Sequence, residues 1–155
     1  MQEQASDHQT DRYMYKSPKT TAMPRGLRNN NPGNIRLSTT KWQGQVSPGA
    51  DPAFVTFTSI AYGYRALMRV LLTYMQTHGL VTISGIIKRW APMSENDTPA
   101  YIARVSKLTG IPADYTLTPT RDVLTALASA ISYVENGRPA VPEEVQAGYE
   151  LLITT

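Results

Sequence analysis

Glu135 is the residue best placed to do chemistry. It belongs to the segment Ile131-Ser132-Tyr133-Val134-Glu135-Asn136-Gly137. Upstream, Val123, Leu124, Leu127, Ala128, Ile131 and Val134 recur at helical spacing and define one apolar face. Glu135 lies four residues after Ile131 and eight after Leu127, which puts it on or beside that face. Gly137 stands where a helix stop is expected. Burial and the negative end of the helix dipole both disfavour charge on a carboxyl in such a place. A carboxyl that keeps its proton near neutrality is what cleavage of a glycosidic bond requires of its general acid. The competing reading turns Glu135 outward, into solvent or onto a nearby arginine.

Other acids compete less well. Glu95 lies in Pro92-Met93-Ser94-Glu95-Asn96-Asp97-Thr98-Pro99, a polar loop before a helix. A helix N-terminus favours the charged form, which suits a base or a cap rather than an acid. Asp97 reads most simply as an N-terminal helix residue, and Asp51 is the remaining acid near the inferred cleft. Asn30, Asn31 and Asn34 fall in Arg25-Gly26-Leu27-Arg28-Asn29-Asn30-Asn31-Pro32-Gly33-Asn34-Ile35-Arg36, a run dense in turn formers. Their amides either fix a tight loop or hydrogen-bond a polar ligand such as a sugar. Arg25, Arg28 and Arg36 could bind carboxylate or phosphate. Trp42 could stack on a sugar ring or fill the core.

Composition removes several classes of chemistry. There is no cysteine, so a disulfide framework and a thiolate metal site are excluded. The two histidines, His8 and His78, are far apart and belong to no zinc-hydrolase pattern or serine triad. No metal or cofactor is called for. The formal net charge of +3 and a pI of about 9.2 suit an anionic partner, cell-wall polymer or nucleic acid. With charged residues at only 17%, nucleic-acid binding through Arg25, Arg28, Arg36 and Lys41 ranks last. No stretch has the length of a membrane span. Met1 to Lys19 is polar and lacks the apolar core of a secretory signal. Action on a cell wall would then need delivery, within a virion or by another system that reaches the periplasm.

The elements that must position these groups follow from pattern. Residues 1 to 23 read as a flexible polar tail and residues 24 to 155 as one folded domain. Phe54-Val55-Thr56-Phe57 alternates like a short strand, so a small, irregular β-rich lobe is expected over about 29 to 58. Helices are expected over Ile60 to Thr77, Thr82 to Trp90 with Thr82 as its cap, Thr98 to Leu108 with Thr98 as cap and Pro99 at the first position, residues 121 to 135, and about 142 to 153. A short β lobe on a mostly helical body is an α+β architecture.

These residues carry a resemblance. Arg-Gly-Leu-Arg-Asn-Asn-Asn-Pro-Gly-Asn-Ile-Arg at 25–36, Trp42-x-Gly44, Phe54-Val55-x-Phe57 and Gly63-Tyr64-Arg65-Ala66-Leu67 resemble a family of bacteriophage and prophage proteins. The likeness continues through Thr82-Ile83-x-x-Ile86-Ile87-x-Arg89-Trp90-Ala91-Pro92, Glu95-Asn96-x-Thr98-x-x-Tyr101-Ile102-x-x-Val105 and Glu135-Asn136-Gly137. Members of that family are described as virion structural proteins or as peptidoglycan lytic enzymes. A more distant similarity runs to the lysozyme-like superfamily. Asn30-Asn31-Pro32-Gly33-Asn34-Ile35 is similar to a lobe motif of cell-wall glucosaminidases. Thr98 to Val105 resembles a late tyrosine-containing helix of lytic transglycosylases.

The resemblance implies a lysozyme-like domain that acts on peptidoglycan glycan strands, with Asn30, Asn31, Asn34 and Tyr101 binding or orienting sugar. It also implies other phage-particle or secretion-system proteins as partners. Enzymes of that superfamily usually place the catalytic glutamate at a helix end before the β lobe. Here the only glutamate before Asn29 is Glu3. Either the fold is circularly permuted, with the helix ending at Glu135 packed beside the asparagine-rich lobe, or the usual glutamate is absent and the protein is a non-catalytic virion relative.

Overall fold

The computed structural model describes residues 22–154. Of the tail expected over residues 1 to 23, all but the last two residues lie outside the described residues.

One helical turn, α1 (Arg25–Arg28), precedes two very short strands, β1 (Gln45–Val46) and β2 (Thr56–Phe57). Five helices follow: α2 (Ile60–Gln76), α3 (Ile83–Trp90), α4 (Thr98–Thr109), α5 (Arg121–Asn136) and α6 (Pro142–Thr154). The strands pair antiparallel, Gln45 opposite Phe57 and Val46 opposite Thr56, with an isolated bridge between Arg36 and Phe54. The architecture is therefore mostly helical with a small antiparallel sheet, an α+β arrangement.

The helices begin where their caps dictate. The side chains of Ser59, Thr82 and Thr120 accept the N–H groups of Tyr62, Gly85 and Val123. For α4 the expectation needs correction. Asp97, not Thr98, accepts the Ala100 N–H, and the buried Thr98 hydroxyl donates instead to the Ala91 carbonyl at 2.5 Å. Thr98 thus ties the end of α3 to the start of α4. Gly110 and Gly137 end α4 and α5 in the left-handed region, with φ of 76° and 72°.

The β-rich lobe is leaner than its pattern suggests, because Phe54 and Val55 are both buried and the expected alternation breaks there. Phe54 is covered by two guanidinium groups, Arg25 at 4.5 Å and Arg36 at 5.1 Å from the ring centre. Side-chain contacts and scattered backbone bonds, such as those from the Val55 and Phe57 N–H groups to the Ile35 and Asn29 carbonyls, hold this lobe together in place of a long ladder.

α2 forms the spine. Leu67, Met68 and Leu71 are fully enclosed, and the helix packs along α6 and against α5. The α2–α6 approach is close enough to require glycine. A Cβ at Gly148 would lie 2.5 Å from that of Tyr64 and 3.0 Å from the Ala61 carbonyl. α4 packs against α3 and α5, so the last turn of α5 faces both α4 and the asparagine-rich loop.

Candidate active site at the seam between the helices and the asparagine-rich loop

The loop after α1 turns sharply because Asn30 and Asn34 adopt φ of 54° and 51°. Asparagine enters the left-handed region more readily than other side-chain-bearing residues. The Asn29 amide donates to Asp51 at 3.1 Å and accepts from the Thr56 hydroxyl at 3.1 Å. Asn30 donates to the Phe57 carbonyl at 3.0 Å. Asn31 is 0% exposed; it donates to the carbonyls of Ile35 and Val55 and accepts the Ile35 N–H. Three consecutive amides therefore bind the loop to the segment around β2. Asn31 in particular presents no surface to a ligand, so its part is to shape the loop.

Asn34 points elsewhere. Its Nδ2 donates to Oε1 of Glu135 at 3.1 Å, across 101 positions of chain. The other carboxyl oxygen, Oε2, accepts from the Tyr101 hydroxyl at 2.8 Å. Tyr101 in turn accepts the indole N–H of Trp90 at 3.0 Å. Trp90, Tyr101, Glu135 and Asn34 thus form a buried relay joining α3, α4, α5 and the loop, with Glu135 only 5% exposed. Ile131 and Leu127, one and two turns earlier on α5, are fully enclosed, as the apolar face requires.

The next residue makes a second stitch. Asn136 Nδ2 donates to the Pro32 and Ser132 carbonyls, each at 2.9 Å. Its Oδ1 is buried without a conventional donor and lies over Gly26. A Cβ at Gly26 would sit 2.6 Å from that oxygen and 2.8 Å from both the Asn31 carbonyl and Asn34 Oδ1. Only a glycine fits there without displacing those oxygens.

The remaining candidates stand apart from this cluster. Glu95 is exposed in the α3–α4 connection. Arg28 is exposed and donates to the Met23 carbonyl at 2.6 Å. Trp42 is half-buried against the core, and its indole N–H has no hydrogen-bond partner among the described residues. Asp51 lies at the centre of the lobe, held by both arms of Arg25 at 2.7 and 2.9 Å and by the N–H groups of Ala53 and Phe54. Burial alone would raise its carboxyl. The bonds from Arg25, Ala53, Asn29 and Phe54 outweigh that and hold it well below the usual carboxylate range.

Sequence reasoning missed Trp90 and Asn136. Trp90 reads as an apolar position at the end of α3; a buried indole also needs an acceptor, but that Tyr101 supplies it is decided by how α3 packs on α4. Asn136 carried no signal beyond adjacency to Glu135. Among the described residues no cluster of His, Asp and Glu could hold a metal ion, and no helix is long and apolar enough to cross a membrane.

Fold and site define a mostly helical α+β protein in which one enclosed carboxyl seals a loop to a helical body. No family model matches the chain. It is 42% identical over 130 residues to Protein P5 of Pseudoalteromonas phage PM2, an alignment spanning 81% of this chain and 80% of that protein. The chain belongs to the family of that bacteriophage protein.

Proposed function

We propose that this protein cuts peptidoglycan glycan strands, with Glu135 as the single general acid and base on a lysozyme-like fold of circularly permuted order. The observation that carries the reading is the Glu135 carboxyl at the end of α5, held between Asn34 of the asparagine-rich loop and Tyr101 of α4. Glu135 would protonate the leaving oxygen of the β-1,4 bond between N-acetylmuramic acid and N-acetylglucosamine. Tyr101 and Asn34 would orient it, each through one hydrogen bond. Arg28, Asn30 and Trp42 are left as the loop residues that could meet sugar.

The other acids favour a one-carboxylate route. Asp51 is consumed by Arg25, Asp97 caps α4, and Glu95 lies in an exposed loop. A hydrolase needs a second carboxylate to activate water or to stabilise the cation. A lytic transglycosylase needs none: the same glutamate takes a proton from the sugar's own hydroxyl, and the product ends in an anhydro ring. Kinship with a phage protein supports delivery to the wall by a virion.

A second reading has its own support. Both Glu135 oxygens are hydrogen-bonded and little of the group meets solvent. That suits a virion structural protein in which the acid only locks the seam. Incubation with purified cell wall separates the two. The enzyme reading expects clearing by wild type, loss of clearing in a folded Glu135→Gln variant, and anhydro-ended muropeptides by mass spectrometry. Equal clearing by the variant would refute the role of Glu135, and no clearing by wild type would favour the structural reading.

A further inference from the structure

A groove of about 280 Å³ opens beside the seam, between α1, the start of α2 and the connection from α5 to α6. Tyr64 and Ser132 line it, their hydroxyls 2.9 Å apart, and both residues are 1% exposed. The two groups bring two protons, and the bond between them uses one. The second has no acceptor among the described residues, and Tyr64 and Ser132 both border the groove. Burial raises the Tyr64 phenol, the bond with Ser132 lowers it and the nearby Glu144 charge raises it, with a net rise that keeps the phenol protonated at neutral pH.

Charge of both signs lines the same groove. Arg138 and Glu144 both border it, and neither joins an ion pair among the described residues. Leu27 and Ile60 contribute apolar wall. Ser132 and Glu135 are three residues apart on α5, about 4.5 Å of helical rise.

We infer that this groove binds the peptide stem of peptidoglycan, a short peptide carrying both carboxylates and a free amino group. Arg138 takes a stem carboxylate, Glu144 takes the amino group, and the buried hydroxyl pair donates to a peptide carbonyl. The inference rests on the proposed glycan-cutting function and adds its substrate class: strands that still carry stems. A glycan strand at Glu135 would lay its neighbouring stem along the adjoining face of α5.

The test uses the full chain and a soluble stem tetrapeptide, titrated by calorimetry and by amide chemical shifts. Saturable binding is expected, with shifts at Tyr64, Ser132 and Arg138, weakened about tenfold in Arg138→Ala and again in Glu144→Ala. In parallel, wild type should cut stem-bearing strands faster than strands stripped by an amidase, and Arg138→Ala should lose that preference. No binding by wild type, or binding unchanged in both variants, overturns the inference. Failure of wild type to cut either substrate removes the glycan-cutting function instead, and the titration still decides the groove.

Discussion

Tyr101 stands between Trp90 and Glu135, accepting the indole N–H at 3.0 Å and donating its own proton at 2.8 Å. One hydroxyl therefore satisfies a buried donor and a buried acceptor from two different helices. Tyr101→Phe keeps the ring, leaves the Trp90 indole N–H without its acceptor and takes one hydrogen bond from Glu135. Leaving one buried donor unmet and weakening the hold on a buried carboxyl should lower stability by about 1–3 kcal/mol, read from urea unfolding midpoints. Trp90→Phe removes the donor along with its need, so the double variant should be less destabilised than the sum of the singles. Additive losses would mean that the relay is not coupled.

Asn34 combines two roles that separate substitutions can divide. Its φ of 51° is unfavourable for most residues, and its amide is bound to Glu135. Asn34→Gly relieves the backbone and loses the amide; Asn34→Ala loses both advantages. The alanine variant should be less stable than the glycine variant by about 1 kcal/mol. If the amide also orients the acid, both variants should lose cell-wall clearing to a similar degree, whatever their stability. Clearing that tracks stability alone would reduce Asn34 to a structural part.

Much of this arrangement could be read before the structure, and the rest had a reason to hide. Helices announce themselves through apolar spacing and caps, so Thr82, Gly110 and Gly137 were legible as boundaries. Glu135 was legible because its place on an apolar face departs from what that face otherwise carries. The loop is legible as a turn whose amides could fix it, but its partners are not, since Asn29, Asn30 and Asn31 spend their amides on groups 22 to 27 positions away. Such bonds follow no period. Asp97 and Thr98 are both good caps, and only the packing of α3 against α4, which engages the Thr98 hydroxyl, leaves the capping role to Asp97.

Asp51 gives the lobe a defined acid limit. Its folded carboxyl is held below the ordinary unfolded value of about 3.9. The unfolded chain therefore binds the proton first as pH falls. The stabilisation is fully present above about pH 4 and is lost as pH drops toward the folded value. Thermal melts between about pH 2 and 6 should show wild type losing stability through this window. Asp51→Asn should be less stable at neutral pH, by about 2–3 kcal/mol for a charge-assisted network, and flatter across the acid range. Parallel acid limbs for the two proteins would assign the acid sensitivity to other groups.

Gly26 is where the seam has no slack. Its missing side chain lets α1 sit against the Asn136 amide and the carbonyl of Asn31, and a methyl group there would meet three oxygens at 2.6–2.8 Å. None of those oxygens is the far end of a long, flexible side chain, so the methyl can be accommodated only by moving α1 or withdrawing Asn136. Gly26→Ala should therefore lower stability by about 2–3 kcal/mol, despite the reduced unfolded-state entropy that normally favours alanine. Gly148→Ala wedges α2 from α6 and should be comparably destabilising, but at a distance from the loop. Glycan cutting at Glu135 predicts different consequences for the two. At matched fractions folded, Gly26→Ala should lose clearing because it displaces the Asn34 and Asn136 stitches, whereas Gly148→Ala should retain it. Equal activity in both would show that the geometry of the seam is not what the reaction depends on.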